Sequence, residues 1–417
     1  MHSEFKFIDL FCGIGGFHTA LSRMGGKCVF ASDIDKECQK TYFENYKISP
    51  VGDITKVDET EIPDFDVLCG GFPCQSFSKA GNRKGIEDPR GTLFFDILRI
   101  AKHHKPKYMI LENVRNLAKH DNGRTWQIIH SNLLDIGYSV SETPIIFSPH
   151  YIGIPQHRER VFILCQREDL GDVPKFEFEP DKTVKCSIDD VLLSDELIPN
   201  IEKYKLSTEQ IKLIEIWNEF AQKLVTPLPG FPVWADRLKE LDVNEDLESL
   251  PAWKRNFILK NHYLYKDNLH FIEGWLKKAY TLPNFKGSKA MFEWQAGKTE
   301  NPNIWETIMH FRPSGLRVKK PDYFPALVAI TQTSIIGSRR RVITPREGAR
   351  IQSFPDNFIL NEKDSIAYKQ LGNSVNVKVV ELFARFLLEN KSFNPNQFSL
   401  KRKKSIIKQT QQFIEFT

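Results

Sequence analysis

Residues 5–17 of the chain read Phe-Lys-Phe-Ile-Asp-Leu-Phe-Cys-Gly-Ile-Gly-Gly-Phe. An apolar run ending at Leu10 passes into glycines at positions 13, 15 and 16, and an amphipathic stretch follows. This order predicts a strand, a tight turn and a helix, because glycine lets the backbone bend sharply and approach a ligand closely. The spacing is Gly-x-Gly-Gly and not the Gly-x-Gly-x-x-Gly of dinucleotide sites, and Asp9 precedes the turn. We therefore favour a ligand that carries a cationic amino-acid group over a nicotinamide cofactor.

Outward from this turn, apolar segments alternate with amphipathic segments as far as residue 165. The predicted strands are Lys6–Leu10, Cys28–Ser32, Asp66–Cys69, Tyr108–Leu111, Tyr138–Thr143 and Arg160–Cys165. The predicted helices are Phe17–Met24, Glu37–Tyr46, Gly91–His103 and Thr125–Leu134. This alternation predicts an α/β fold with a doubly wound sheet.

The character of the chain changes between about residues 190 and 330. This stretch is rich in aromatic residues and in Pro and Gly residues that favour turns. It predicts a second, smaller domain of irregular construction. The α/β order returns at Thr344-Pro-Arg-Glu347, a helix start with a cap residue and an N-terminal proline, and Val377–Glu389 predicts an amphipathic helix. We assign residues 1–188 and 368–395 to the first domain, 189–367 to the second and 396–417 to a basic tail.

Composition narrows the class of protein. The 417 residues are 41% hydrophobic and 27% charged, as expected of a folded enzyme. Seven cysteines without paired Cys-x-x-Cys spacing argue against a disulfide framework and against a metal site, and they fit a reducing cytoplasm. The N-terminal residues do not resemble a secretory signal, and no apolar run of about 18 residues predicts a membrane span.

A reactive edge is predicted where several strands meet. Cys74, in Gly70-Gly-Phe-Pro-Cys, follows the predicted strand ending at Cys69. A lone cysteine is commonly a small buried hydrophobe, but this thiol stands at the carboxyl end of a strand, where α/β sheets bind ligands. Glu112 ends another parallel strand and is suited to general acid catalysis. Gln156-His-Arg-Glu-Arg160 begins an antiparallel strand, so we expect it at the same edge.

These residues resemble the DNA cytosine-5 methyltransferases of the bacterial type II restriction-modification type. The matching blocks are Phe7–Phe17, Gly71-Phe-Pro-Cys-Gln-Ser-Phe-Ser78, Leu111-Glu-Asn-Val114, Gln156–Arg160, Thr344–Glu347, Gln352-Ser-Phe-Pro355 and Gln370-Leu-Gly-Asn-Ser-Val375. They cover residues 5–170 and 340–390 in the family's order. The unmatched stretch from about 190 to 330 lies where the family places its variable target-recognition domain. One departure is Asp33, where relatives often carry glutamate.

The resemblance implies a class I S-adenosylmethionine-dependent methyltransferase sheet, mostly parallel with one antiparallel strand, and methyl transfer to C5 of a flipped-out cytosine. Cys74 would attack C6, Glu112 would protonate N3, and Arg158 and Arg160 would orient the base. The implied cofactor-binding residues are Asp9, Phe11, Gly13, Ile14, Gly16, Asp33, Ile34, Asp53, Ile54, Gly71, Pro73, Leu93, Asn373, Ser374 and Val375.

The partner implied is double-stranded DNA, bound by a monomer that protects its host from a separately encoded restriction endonuclease. The residues expected to contact DNA are Gln75, Ser78, Lys79, Arg83, Arg90, Gln156, Arg339, Arg340 and Arg341, and the stretch Phe311–Arg317 is a further candidate. Two alternatives remain at this point. A transfer-RNA cytosine methyltransferase shares the catalytic blocks, and a DNA-binding regulator would need no chemistry; the large insert favours DNA and Cys74 favours an enzyme.

Overall fold

The computed structural model describes residues 4–72, 93–180, 184–242, 246–327 and 333–389. The chain divides into two compact units. The first unit comprises residues 1–186, 325–329 and 345–417, and the second unit comprises residues 187–324 and 330–344. The predicted tail, residues 396–417, lies outside the described residues.

The N-terminal part of the first unit alternates strands and helices. Its strands are β1 (Phe5–Leu10), β2 (Gly26–Ser32), β3 (Val67–Gly71), β4 (Tyr108–Val114), β5 (Tyr138–Val140), β6 (Ile145–Phe147), β7 (Gln156–His157) and β8 (Arg160–Arg167). Its helices are α1 (Gly16–Ser22), α2 (Lys36–Tyr46), α3 (Leu93–His104) and α4 (Arg124–Asp135). All six predicted strands and all four predicted helices are present, with bounds shifted by a few residues.

The main sheet of the first unit has seven strands in the order β2-β1-β3-β4-β8-β5, with β6 also paired to β8. Strands β1 to β4 pair in parallel, whereas β8 is antiparallel to β4, β5 and β6. The predicted mostly parallel sheet with one reversed strand is confirmed. Because β8 is reversed, its first residue, Arg160, pairs with Val114 at the end of β4.

Both faces of this sheet are covered, which explains why its strands are apolar throughout and not alternating. Phe7, Cys69 and Ile110 belong to one buried cluster, together with residues of the C-terminal helices. Their neighbours in the sequence, such as Ile8 and Leu68, belong to the other cluster, together with residues of α3 and α4. Strand ends are therefore the places in this sheet where polar side chains can gather.

The second unit is more regular than the sequence predicted. Its helices are α5 (Thr208–Lys223), α6 (Ala252–Asp267) and α7 (Leu269–Ala279). Its strands are β9 (Val233–Trp234), β10 (Met291–Gln295), β11 (Ile308–Arg312), β12 (Gly315–Lys319), β14 (Ile335–Ile336) and β15 (Arg341–Val342), while β13 (Phe324–Pro325) lies where the chain passes between the units.

All of these strands except β13 form one six-stranded sheet in the order β15-β14-β11-β12-β10-β9. The predicted second, smaller domain is therefore present, and it contains a regular sheet. No strand here exceeds five residues. The pairs β11–β12 and β14–β15 are local, but the other three neighbouring pairs join segments farther apart in the sequence, so the local pattern is too short to show the sheet. The abundant aromatic residues form the core, in which Trp217, Trp275 and Phe292 are almost fully buried.

The chain returns to the first unit through α8 (Pro345–Ile351), α9 (Asp364–Asn373) and α10 (Val377–Leu388). The predicted boundary at residue 367 is therefore wrong for residues 345–367, which belong to the first unit. Ala349 and Ile351 of α8 are fully buried, and the Gln352 side-chain amide donates a hydrogen bond to the Leu371 carbonyl at 2.7 Å. None of the helices within the described ranges is long and apolar enough to cross a bilayer.

Candidate active site

The glycine turn after β1 is held by a carboxylate. Phe11 and Gly13 have φ values of 56° and 53°, a left-handed conformation that lets the chain reverse before α1. The backbone N–H of Gly13 donates to Asp33 Oδ2 at 2.7 Å, and Asp35 N–H donates to Asp33 Oδ1 at 2.8 Å. Asp33 thus ties the turn to the end of β2, and burial raises the pKa of its carboxyl. Beside it, Ile34 is 74% exposed, an apolar surface without cover.

Asp9 lies at the same edge and is fully buried. Neither of its carboxylate oxygens has a hydrogen-bond partner among the described residues. Burial raises its pKa well above the ordinary value, and the nearby Asp33 adds to that effect. Buried acceptors are almost always paired, so two unused ones beside a glycine turn fit a ligand that brings hydrogen-bond donors or a positive charge.

The C-terminal segment completes this edge. A Cβ atom placed on Gly16 would stand 2.6 Å from Val375 Cγ2 and 2.9 Å from Ser374 Oγ, so only glycine permits the approach. Ile14 is buried in the same cluster as Val375. The sequence-predicted return of residues 373–375 to the glycine turn is therefore present in the fold, with Asn373 exposed at the end of α9.

Two further predicted cofactor residues lie near the end of α3. Asp53 caps a short turn, accepting hydrogen bonds from the Thr55 N–H and hydroxyl at 3.1 and 2.8 Å, and Ile54 is buried. The Ile54 carbonyl accepts a hydrogen bond from Arg99 Nη2 at 2.7 Å. Arg99 Nη1 also lies 2.6 Å from Glu59 Oε2. Arg99 was not identified from the sequence, where its i,i+3 spacing to Asp96 was the one feature that could have indicated an ion pair. Leu93, at the start of α3, packs against the core.

Glu112 and Arg160 form the polar centre of the sheet edge. Glu112 is 8% exposed, and its Oε1 lies 3.1 Å from Arg160 Nε. Burial raises the pKa of the Glu112 carboxyl above its ordinary value, while Arg160 and Arg158 oppose that rise. A buried carboxyl with a raised pKa is suited to donate a proton near neutral pH.

The neighbouring strand β3 leads toward this carboxyl. Gly71 pairs with Glu112 in the parallel register, and a Cβ on Gly71 would stand 3.6 Å from Glu112 Oε2. Asn113 donates from Nδ2 to the Phe72 carbonyl at 2.8 Å and so fixes the last described residue of this segment. Asn113 stood inside a quoted motif, but the sequence assigned it no role. The described chain stops two residues before Cys74.

Seven of the sequence-predicted site residues follow immediately and lie outside the described residues: Pro73, Cys74, Gln75, Ser78, Lys79, Arg83 and Arg90. Their predicted roles stand as predictions.

Arg158 is hydrogen-bonded to two backbone carbonyls of the C-terminal segment. Its guanidinium donates from Nη1 to the Gly372 carbonyl at 2.8 Å and from Nη2 to the Ser374 carbonyl at 3.0 Å. It is 4% exposed, and burial lowers its pKa to about 9. These bonds tie Arg158 to the returning C-terminal segment, while its Nε is buried without a hydrogen-bond partner in the described chain. Its predicted role in orienting the base stays a prediction. Gln156 is fully buried with both amide atoms unpaired within the described chain, so it presents no surface to DNA.

The arginine triplet of the second unit is also corrected by the structure. Arg341 is fully buried, and its Nε lies 2.9 Å from Asp195 Oδ1, so it cannot contact DNA. Arg339 is exposed but lies 3.7 Å from the same carboxylate. Arg340 is exposed, has φ 49°, and stacks over Trp305 at 4.6 Å. Of the three consecutive arginines, Arg341 thus forms a buried ion pair, whereas Arg339 and Arg340 lie at the surface.

Comparison with known sequences gives a consistent result. A family model described as C-5 cytosine-specific DNA methylase matches residues 5–389. The type II methyltransferase M.AluI of Cellulosimicrobium cellulans is 35% identical, with 92% of each chain covered. M.HhaI of Haemophilus parahaemolyticus is 32% identical over 94% of this chain and 96% of that protein.

Solved structures share the fold at lower identity. The Entamoeba histolytica methyltransferase EhMeth has a TM-score of 0.52 at 19% identity, covering 94% of this chain and 100% of that chain. A Spodoptera frugiperda DNMT2 variant has a TM-score of 0.53 at 18% identity, covering 92% and 99%. These likenesses extend over nearly the whole of both chains.

Proposed function

This chain belongs to the C-5 cytosine-specific DNA methylase family, and from that premise we propose how its residues carry out the reaction. The observation that carries the proposal is the buried Glu112–Arg160 pair, which stands beside the strand leading to Cys74. The family acts on DNA, which favours DNA over transfer RNA as the substrate, and the buried acid favours an enzyme over a regulator. The reaction takes place in the cytoplasm and protects host DNA from a restriction endonuclease.

The cofactor we propose is S-adenosylmethionine. Asp33 and Ile34 suit the ribose and the adenine ring, Asp53 and Ile54 border the adenine, and the turn with Asp9 faces the cationic amino-acid end. The unused oxygens of Asp9 and the uncovered side chain of Ile34 support this fit. When bound, the cofactor supplies an electrophilic methyl group on a sulfonium ion.

The residues of the chain make the cytosine reactive. Because C5 lies inside the duplex, the base is flipped out at a cost of a few kcal/mol. The Cys74 thiolate forms a bond to C6, and electron density moves toward N3 and C5. Glu112 gives its proton to N3, and Arg160 remains beside the resulting carboxylate. After C5 is methylated, a base takes the C5 proton, the Cys74–C6 bond breaks to restore the thiolate, and N3 returns its proton to Glu112.

Asp33→Ala is expected to weaken S-adenosylmethionine binding by roughly 1–3 kcal/mol, the cost of losing charge-assisted hydrogen bonds. The change also removes the acceptor of the Gly13 N–H and so loosens the turn. Calorimetric titration with the cofactor measures the effect. Asp58→Ala is the matched control, because Asp58 likewise accepts from a backbone N–H, that of Thr60, away from the turn. Unchanged cofactor affinity with reduced DNA affinity would contradict the assignment.

We also propose that the second unit selects the DNA sequence. Catalytic motifs lie in the first unit, whereas the second carries aromatic and basic residues without catalytic spacing. Exchanging residues 187–324 and 330–344 for the corresponding segments of a relative with different specificity is therefore expected to move methylation to the relative's site. Modification-sensitive sequencing of DNA from an expressing host reads the outcome. An active chimera that still methylates the original site would place specificity in the first unit instead.

A further inference from the structure

One face of the sheet in the second unit is polar. In β10, β11 and β12, alternate side chains such as Phe292, Met309 and Val318 enter the core. Side chains of a strand alternate between its two faces. The intervening residues therefore share the opposite face, which also carries the apolar Met291 and Ile308. Five side chains of this face are charged or carry an imidazole, and we call these five the polar face: Glu293, His310, Arg312, Arg317 and Lys319.

The polar face is ordered by strand register. Arg317 pairs with Glu293 on one side and with His310 on the other, so these three side chains form a row across three strands. Arg317 Nη2 lies 2.7 Å from Glu293 Oε2. His310 Nε2 lies 2.6 Å from the hydroxyl of Ser334. The row is thus fixed by side-chain contacts as well as by the backbone.

Positive charge exceeds negative charge on this face. Glu293 is its one carboxylate among the described residues, and it already pairs with Arg317. Burial lowers the pKa of His310 to about 3, so its imidazole is neutral. No carboxylate of the described chain lies within ion-pair distance of Arg312 or Lys319. Burial and the neighbouring Arg317 lower the pKa of both, and Glu293 opposes that effect.

Two side-chain nitrogens of the polar face also lack hydrogen-bond partners in the described chain. Arg312 Nε and His310 Nδ1 are buried and have no partner in the described part of the chain. A partly buried cation is costly unless an opposite charge or a hydrogen-bond acceptor satisfies it. The geometry is therefore that of a site for an anion with several acceptor oxygens.

Building on the DNA methyltransferase function, we propose that the polar face binds backbone phosphates of the DNA duplex. Arg312 and Lys319 supply the charge, and Glu293 holds Arg317 in place. A phosphate has the required charge and acceptor oxygens, and the substrate of this family presents phosphates in abundance. Contacts to phosphate position a protein on DNA without reading its sequence.

The test uses the full-length chain and two charge-neutralising variants, Arg312→Gln and Lys319→Gln. DNA binding is measured over a range of salt concentrations, on a duplex that the wild type methylates and on one that it does not. Each variant is expected to weaken binding to both duplexes by the same factor and to lower the slope of log K against log salt by about one. Lys277→Gln is the matched control, because Lys277 is exposed on α7 away from the polar face.

Glu293→Gln gives an effect of opposite sign, which loss of folding cannot imitate. Removing the carboxylate adds to the net positive charge, so binding to both duplexes is expected to tighten. Thermal unfolding and cofactor binding confirm that each variant is folded. Weaker binding after Glu293→Gln would overturn the charge argument.

The remaining outcomes separate this proposal from the proposed function. If the wild type methylates DNA but Arg312→Gln and Lys319→Gln keep its salt slope, the polar face does not bind phosphate. If the two variants lose affinity only for the duplex that the wild type methylates, the polar face reads base edges. That result also overturns the proposal. A wild type that methylates no DNA would refute the proposed function itself, whatever the binding data show.

Discussion

Cys74→Ala is expected to abolish methyl transfer, lowering the rate at least about a thousandfold, because the proposed mechanism requires the Cys74 thiolate to form the bond to C6. Binding of DNA and cofactor should persist, since the substitution removes only the thiol. Single-turnover transfer of a labelled methyl group measures the loss. DNA containing 5-fluorocytosine should trap the wild type as a covalent adduct, because fluorine at C5 blocks the final elimination, and Cys74→Ala should form none.

Cys69 provides the control for that experiment. It lies in β3, is fully buried, and burial raises the pKa of its thiol well above the ordinary value. A thiol in that state is a poor nucleophile. Cys69→Ala should therefore still form the adduct, and an adduct that requires Cys69 instead of Cys74 would refute the assignment of the nucleophile.

Glu112→Gln is expected to lower the rate of methyl transfer by roughly 10²–10⁴-fold, the usual contribution of a general acid. The amide keeps the shape of the side chain but cannot give a proton to N3. In the wild type, burial raises the pKa of Glu112, and only the protonated form is active. Activity should therefore fall as pH rises through that pKa, and the variant should lack this alkaline decline.

Glu168→Gln is the matched control, because Glu168 is exposed just beyond the far end of β8. It should leave both the rate and its pH dependence unchanged. A Glu112→Gln enzyme that retained the wild-type rate, or the same alkaline decline, would show that the proton comes from another group.

Much of the first unit was predictable because its determinants are local. The strand, glycine turn and helix of residues 5–22 are encoded in one short stretch. Strand β8 is likewise predictable from its own run of apolar residues. Given a parallel sheet with one reversed strand, Glu112 and Arg160 had to meet at one edge. The topology brings the two residues to neighbouring strand ends, and the register of β8 against β4 sets the 3.1 Å separation of their side chains.

The second unit was predictable only in part, since its sheet depends on distant partners. β10 pairs with β12, and β11 pairs with β14, across segments that carry no shared pattern. Five residues of alternation, as in Ile308–Arg312, are too few to distinguish a strand from a loop. Residues 345–367 were misassigned for a related reason, because burial of α8 against the first unit is a tertiary contact.

The sequence by itself determined the reaction class, the edge of the sheet where chemistry takes place, and the residue types gathered there. Tertiary structure decided which arginines remain free. Arg158 and Arg341 looked like ligand-binding groups, but each is buried, one against the Gly372 and Ser374 carbonyls and the other against Asp195. A guanidinium has the same formula in either setting. Its role depends on which acceptors the fold brings within hydrogen-bonding distance, and those acceptors here are more than 140 residues away in the chain.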